Sequence, residues 1–271
     1  MPAGQHINSD ELLKLLAGNE TPSSDKFKEL VIKIESHNIL AKRFLLEGVP
    51  FVFQKSPMKY IIFREQVANN FGVGSQDVCI VGSAKLGFSP SPHQYGKPFS
   101  ETSDVDVVVV SEDMFYKGSK ELFSVMNRLE PSIHHIRPFL DGDNIPSGTK
   151  KPEVNLPDWK NVKETIRNFV YDNFNPGLLP GDNHLRMEIF EKIDSTAGLF
   201  LALEPQVFVS KIRARIFCNW KAAENYYSNT LREARNIFLG GNIETETDEA
   251  IEKELQPSLE NKNEESKELS Y

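Results

Sequence analysis

Four consecutive β-branched residues, Val107–Val110, constrain this 271-residue chain more than any other stretch. Such a run suits an extended backbone and predicts a strand covered on both faces, so it requires helices above and below a sheet. A second apolar run, "DVCIVGS", stops at Gly82 and predicts another buried strand. Around these lie segments with helical spacing. Residues 26–47 show helical spacing through Phe27, Leu30, Val31 and Ile34, then Ile39, Leu40, Phe44 and Leu45, and Gly48-Val49-Pro50 ends the run. Residues 57–73 repeat the pattern through Tyr60, Phe63, Val67 and Phe71 up to Gly72. Further helices are predicted at 119–130, 159–174, 185–193 and 220–241, and a third strand at 206–217. Residues 131–160, rich in prolines, glycines and turn formers, read as a loop or insertion. The expected fold class is α+β (mixed α/β): a small mixed sheet with flanking helices.

Charge divides the chain. Residues 241–271 hold ten acids and three lysines, so −7 of the net −8 lies there and about −1 remains for the rest. Three parts follow: a polar segment 1–25, in which Ser9-Asp10-Glu11 precedes the short apolar patch Leu12–Leu16; one domain over 26–240; and an acidic tail over 241–271 read as disordered. A near-neutral body lacks the basic excess of proteins that grip nucleic-acid backbones. No apolar run approaches eighteen residues and no signal peptide is recognisable, so no membrane partner and a cytoplasmic location are expected. Cys79 and Cys218 lie in apolar runs and read as reduced, structural thiols.

The chemistry concentrates in "CIVGSAKLGFSPSPHQYGKPFSETSDVDVVVVS", residues 79–111. Asp104 and Asp106 are two apart at the mouth of a strand, so both carboxylates leave one face. Two acids so placed repel unless a cation joins them, and Mg²⁺ takes one or two carboxylates with water and phosphate oxygens filling the remaining positions. At the end of the preceding strand, Gly82 lets backbone N–H groups approach a phosphate closely, and Ser83 adds a hydroxyl. Lys85 either reaches the same phosphates or stays solvated. Ser103, beside Asp104, joins Gly82, Ser83 and Lys85 as an expected nucleotide contact.

"VGSAKLG" followed by "SDVDVVVV" resembles the signature of the nucleotidyltransferase superfamily typified by DNA polymerase β. The wider "EGVPFVF", "KLGFSPSPHQYGKPFSETSDVDVVVVSEDMF" and "WKAAENYY" resemble stand-alone bacterial members of uncertain role. The resemblance implies a polymerase β-like core, a nucleoside triphosphate (ATP or another NTP) held at Gly82 and Ser83, and Mg²⁺ or Mn²⁺ on Asp104 and Asp106. It implies transfer of a nucleoside monophosphate to an acceptor hydroxyl, with roles in the family that include phage defence and nucleotide signalling. A catalytically degenerate relative, acting as an antitoxin-like or sensing subunit with a protein partner encoded nearby, is the alternative.

Two departures from the family pattern stand out. Twenty-two positions separate Gly82 from Asp104, and the extra residues, with His93, Tyr95, Lys97 and Phe99, form either a flap over the nucleotide or a surface loop. The third carboxylate of catalytic members has no counterpart in "QVFVSKIRARIF", where Ser210 or Lys211 falls at the wanted place. Glu188, Asp194 and Glu204 lie nearby in sequence but in unsuitable contexts. Lys211, Arg213 and Arg215 alternate and share one strand face, either solvated or meeting phosphates. His134-His135 lacks zinc-ligand spacing. Trp220, Tyr226 and Tyr227 read as core, with base stacking as the alternative.

Overall fold

A computed structural model describes residues 21–140, 159–179, 184–204 and 211–240, with the backbone alone for 128–140 and 159–162. The segment before Thr21, the region 141–158 and the acidic tail lie outside these residues. Four strands form one open mixed sheet in the order β1-β2-β4-β3: β1 Val78–Val81, β2 Val105–Val110, β3 Asn173–Phe174 and β4 Ile212–Phe217. β1 runs antiparallel to β2, β2 parallel to β4, and β3 antiparallel to β4. The mixed α+β architecture expected from the valine run is therefore present, and β2 sits inside the sheet with a neighbour on each edge.

Both faces of β2 are covered. On one face Ile80, Val107, Val109, Ile212, Ala214 and Ile216 pack against two helices, α3 (Pro57–Phe71) and α7 (His184–Leu203). On the other, Cys79, Val81, Val108 and Phe217 pack against Leu46 and the first turn of α8 (Trp220–Phe238), through Ala222 and Ala223. A third cluster joins α1 (Ser24–Lys33), the short α2 (His37–Leu40) and the wide turn Ala41–Leu46 to Leu231 and Ala234 of α8. The remaining helices are α4 (Gly82–Leu86), α5 (Glu112–Leu140) and α6 (Trp159–Val170). No helix among the described residues is long and apolar enough to cross a membrane.

Several boundaries move, each for a local reason. The expected run over 26–47 breaks at Ile34–Ser36, where the buried His37 ring meets the Val31 carbonyl at 3.2 Å. α5 starts seven residues before the expected 119, because Ser111 follows the strand directly and its Oγ accepts from Met114 N–H, with Glu112 and Asp113 in the first turn. It also runs on to Leu140, through ten residues read as loop. α7 continues ten residues past 193. Thr196 donates back to the Lys192 carbonyl at 2.8 Å rather than ending the helix, and Phe200 buries itself against Phe53 and Phe63 with ring centroids 5.4 and 5.8 Å away. The helix expected over 159–174 ends at Val170. Asp172 takes a left-handed φ of 54°, and Asn173–Phe174 become the edge strand β3. Of the strand expected at 206–217, residues 212–217 form β4, and 206–210 lie outside the described residues.

Phe200 is fully buried where α7 meets α3. Phe200→Ala is expected to destabilise the chain by about 3–5 kcal/mol in urea unfolding. Phe123→Ser, on the exposed side of α5 at 67% exposure, should stay within about 0.5 kcal/mol. Similar losses in the two variants would place the core elsewhere.

Candidate functional site

The site forms where β1 ends and β2 begins. In the antiparallel register Val81 lies opposite Asp106, so the residue after Val81 meets the Asp106 side chain. That residue is Gly82, with a φ of +68°, a conformation that favours glycine. A Cβ there would stand 2.8 Å from Asp106 Oδ2. The glycine therefore serves two needs at once: it turns the chain from β1 into α4, and it leaves room for the carboxylate. α4 is only five residues long and ends at Gly87, whose N–H donates to the Ser83 carbonyl at 2.8 Å. Such a short turn presents backbone N–H groups but little macrodipole.

On the other side of Asp106 the parallel register sets Arg213 of β4 directly opposite. Its guanidinium reaches the neighbouring acid: Arg213 Nη2 lies 2.5 Å from Asp104 Oδ2. Asp104 is 22% exposed and Arg213 59%, so the pair sits at the rim. Asp106 lies deeper. Burial pushes its carboxyl up to about 6, with Asp104 raising it further and Arg213 and Arg215 opposing. The described residues give the Asp106 carboxylate no hydrogen bond or ion pair. Arg215, one residue further along the same face, is fixed by a 2.9 Å bond to Asn173 Oδ1 and by the Tyr226 ring 4.7 Å away.

The expected site residues thus divide. Gly82, Asp104 and Asp106 come together, with Ser83 in the turn that follows Gly82. Lys85 does not join them. It is buried, and its ammonium donates to the carbonyls of Glu47 and Gly48, the latter at 2.8 Å. Burial lowers its pKa to about 8, and it ties α4 to the turn after Leu46 instead of reaching phosphates or staying solvated. Ser103 caps a local turn, its Oγ accepting from the Ser100 N–H at 3.0 Å beside Asp104.

The long excursion between Gly82 and Asp104 is a docked loop, not a flap. Phe88 bridges to Pro98, Phe99 N–H donates to the Gly87 carbonyl, and Tyr95 donates to the Ser24 carbonyl while packing on Phe238 at 4.6 Å. His93 is exposed in a short helical turn. Tyr227 is partly buried against the core, Tyr226 packs on Phe217, and Trp220 donates to Asp77 at 3.1 Å, in keeping with a core role. Cys79 is buried, and its thiol is pushed up to about 12. Cys218 is only partly buried.

Among the described residues no third acid joins Asp104 and Asp106. Glu188 pairs with Lys192 and Glu204 with Lys59, both at 3.5 Å and both on α7 or its end, and Asp194 is also on α7. Lys211 precedes β4, and Ser210 lies outside the described residues. Among the described residues no three His, Cys, Asp or Glu side chains gather as a metal site. Sequence reasoning missed the partner of Asp104. The alternation of Lys211, Arg213 and Arg215 was the available signal, but only the parallel pairing of β2 with β4 shows which acid it meets. No family model matches the chain, and neither do curated proteins or solved structures.

Two outcomes follow from this geometry. Gly82→Ala combines a left-handed backbone with a collision at Asp106 and is expected to lose about 2 kcal/mol in urea unfolding; an unchanged midpoint would refute the close approach. An unfolded aspartate titrates near ~3.9. Between that pH and about 6 the folded metal-free chain holds a proton on Asp106 that the unfolded chain has released. Stability attributable to this group therefore falls as pH rises through that window and stays reduced above it. Asp106→Asn should accordingly be more stable than the wild type at pH 7.5 by on the order of 1–2 kcal/mol, with the gain fading toward pH 4 in thermal melts.

Proposed function

We propose that this corner is a nucleoside-triphosphate site and that the chain is a nucleotidyltransferase of the polymerase β-like plan. The observation that supports this most is Asp106: a partly buried carboxylate, without a hydrogen-bond partner among the described residues, set against Gly82 and beside a second acid. Burying an ionised carboxylate is unfavourable unless a cation or donor compensates it. Asp104 and Asp106 are hard oxygen donors on one face, which fits Mg²⁺ or Mn²⁺ completed by water and phosphate oxygens. When bound, such an ion supplies Lewis-acid polarisation of the phosphoryl group and screens its charge.

The chain's own residues do the rest. The Ser83 hydroxyl and the N–H groups of the Gly82–Ser83 turn donate to the outer phosphates. Gly82 keeps this turn and Asp106 close enough to act on one ligand. Arg213 holds Asp104 in place through its 2.5 Å contact. The reaction supported is an in-line displacement, in which an acceptor hydroxyl oxygen bonds to the α-phosphorus while the bond from that phosphorus to the pyrophosphate oxygen breaks, pyrophosphate leaving and the hydroxyl proton passing to solvent. Holding the triphosphate still is the fold's main contribution to that step.

A second reading is favoured by one observation: an arginine, not an acid, stands beside Asp106 on β4. Without a third carboxylate to accept the acceptor's proton, the site would bind a nucleotide without turning it over and serve a partner protein. Both readings share the same ligand.

Incubation with α-labelled NTPs and Mn²⁺ tests them. The wild type is expected to release pyrophosphate and retain label on an acceptor, and Asp104→Asn with Asp106→Asn should lower this by about a hundredfold or more. Unchanged transfer in the double variant refutes the mechanism. Calorimetric binding of Mg-ATP with no pyrophosphate above background supports the second reading over the first.

A further inference from the structure

Binding two divalent ions close together requires enough negative charge around them to offset their repulsion, and two-metal sites set the ions about 3.5–4 Å apart. Here the described residues bring two carboxylates to the corner and also two guanidiniums. Those charges cancel before any ion enters. The register places Arg213 opposite Asp106, and the side chain spans to Asp104 Oδ2 at 2.5 Å. It therefore occupies the β4 side of the acid pair, where a second ion would need its own ligand. No third His, Cys, Asp or Glu side chain stands there among the described residues.

Resting on the reading of this corner as a metal–nucleotide site, we infer that it takes a single divalent ion and that the Arg213 guanidinium stands in for the second cation. The two roles are compatible in one side chain. A guanidinium carries five N–H donors in a flat fork. The contact to Asp104 uses one edge, and at 59% exposure the remainder faces solvent, where phosphate oxygens would lie. Arg215 cannot replace it, because its guanidinium is held by Asn173 and Tyr226. Arg213 is thus a nucleotide contact that also positions Asp104.

The experiment titrates Mn²⁺ into the full chain with a non-hydrolysable NTP, counting bound ions by electron paramagnetic resonance and measuring nucleotide affinity by calorimetry. The wild type is expected to bind one Mn²⁺ per chain. Arg213→Gln should weaken nucleotide binding about tenfold, as loss of a charge-assisted contact does, and Arg213→Lys should recover part of that loss. The exposed position makes both variants compatible with folding, which circular dichroism checks. Two ions in the wild type, or unchanged nucleotide affinity in Arg213→Gln, overturn the inference while leaving the nucleotide site intact. Absence of any nucleotide-dependent Mn²⁺ binding overturns the metal–nucleotide site and the inference with it.

Discussion

Everything at the candidate site depends on what flanks Asp106. The turn that leaves β1 contributes Gly82, which has no side chain to fill the space; the neighbouring strand β4 contributes Arg213, which is charged. The carboxylate is thereby partly buried, with no side-chain hydrogen bond among the described residues. A larger residue at 82 would push it away, since even a Cβ would come within 2.8 Å of Oδ2. An apolar residue at 213 would remove the guanidinium that contacts Asp104. The corner is a balance between close packing from β1 and compensating charge from β4, and both arise from sheet register alone.

The sheet explains why the corner stays open. α8 begins at Trp220, immediately after β4, and its first turn lays Ala222 and Ala223 over Val108 and Phe217. The cover reaches the middle of β2, and Asp106 lies one residue pair nearer the strand's start. Tyr226 shields Arg215 at the margin. The valines thus provide an apolar floor under the helix, and polar groups follow where the helix no longer covers the face. Burial at that boundary raises the pKa of Asp106, and access at the same boundary lets a ligand relieve it.

Much of this was legible in the sequence where signals were local. The valine run, the glycine after "CIV" and the Tyr60–Phe71 spacing gave β2, β1 and α3, because periodicity and terminators lie within a few residues of each other. The spacing of Asp104 and Asp106 placed them together for the same reason. Contacts across long separations were not legible. Lys85 looks like any lysine beside a phosphate turn, yet the carbonyls that hold it belong to Glu47 and Gly48, 38 and 37 residues earlier. Arg213 reads as part of an alternating basic stripe until the parallel pairing with β2 sets it against Asp106. The helix expected over 185–193 runs on to Leu203, where Phe200 reaches the distant rings of Phe53 and Phe63.

The arginine beside the acid pair also bears on how such a fold tolerates two adjacent acids. Two carboxylates on one strand end would destabilise the sheet through mutual repulsion, most of all with one of them buried. A strand neighbour that carries a permanent positive charge reduces that repulsion at all times, whereas an ion does so only when bound. Because the Asp104–Arg213 pair lies at the rim, its direct contribution to stability is small, under about 1 kcal/mol. Its larger effect is on geometry, since it fixes Asp104 and leaves Asp106 as the group whose charge is least compensated. A ligand bringing positive charge to the corner gains most at Asp106, and that asymmetry would select where an incoming cation settles.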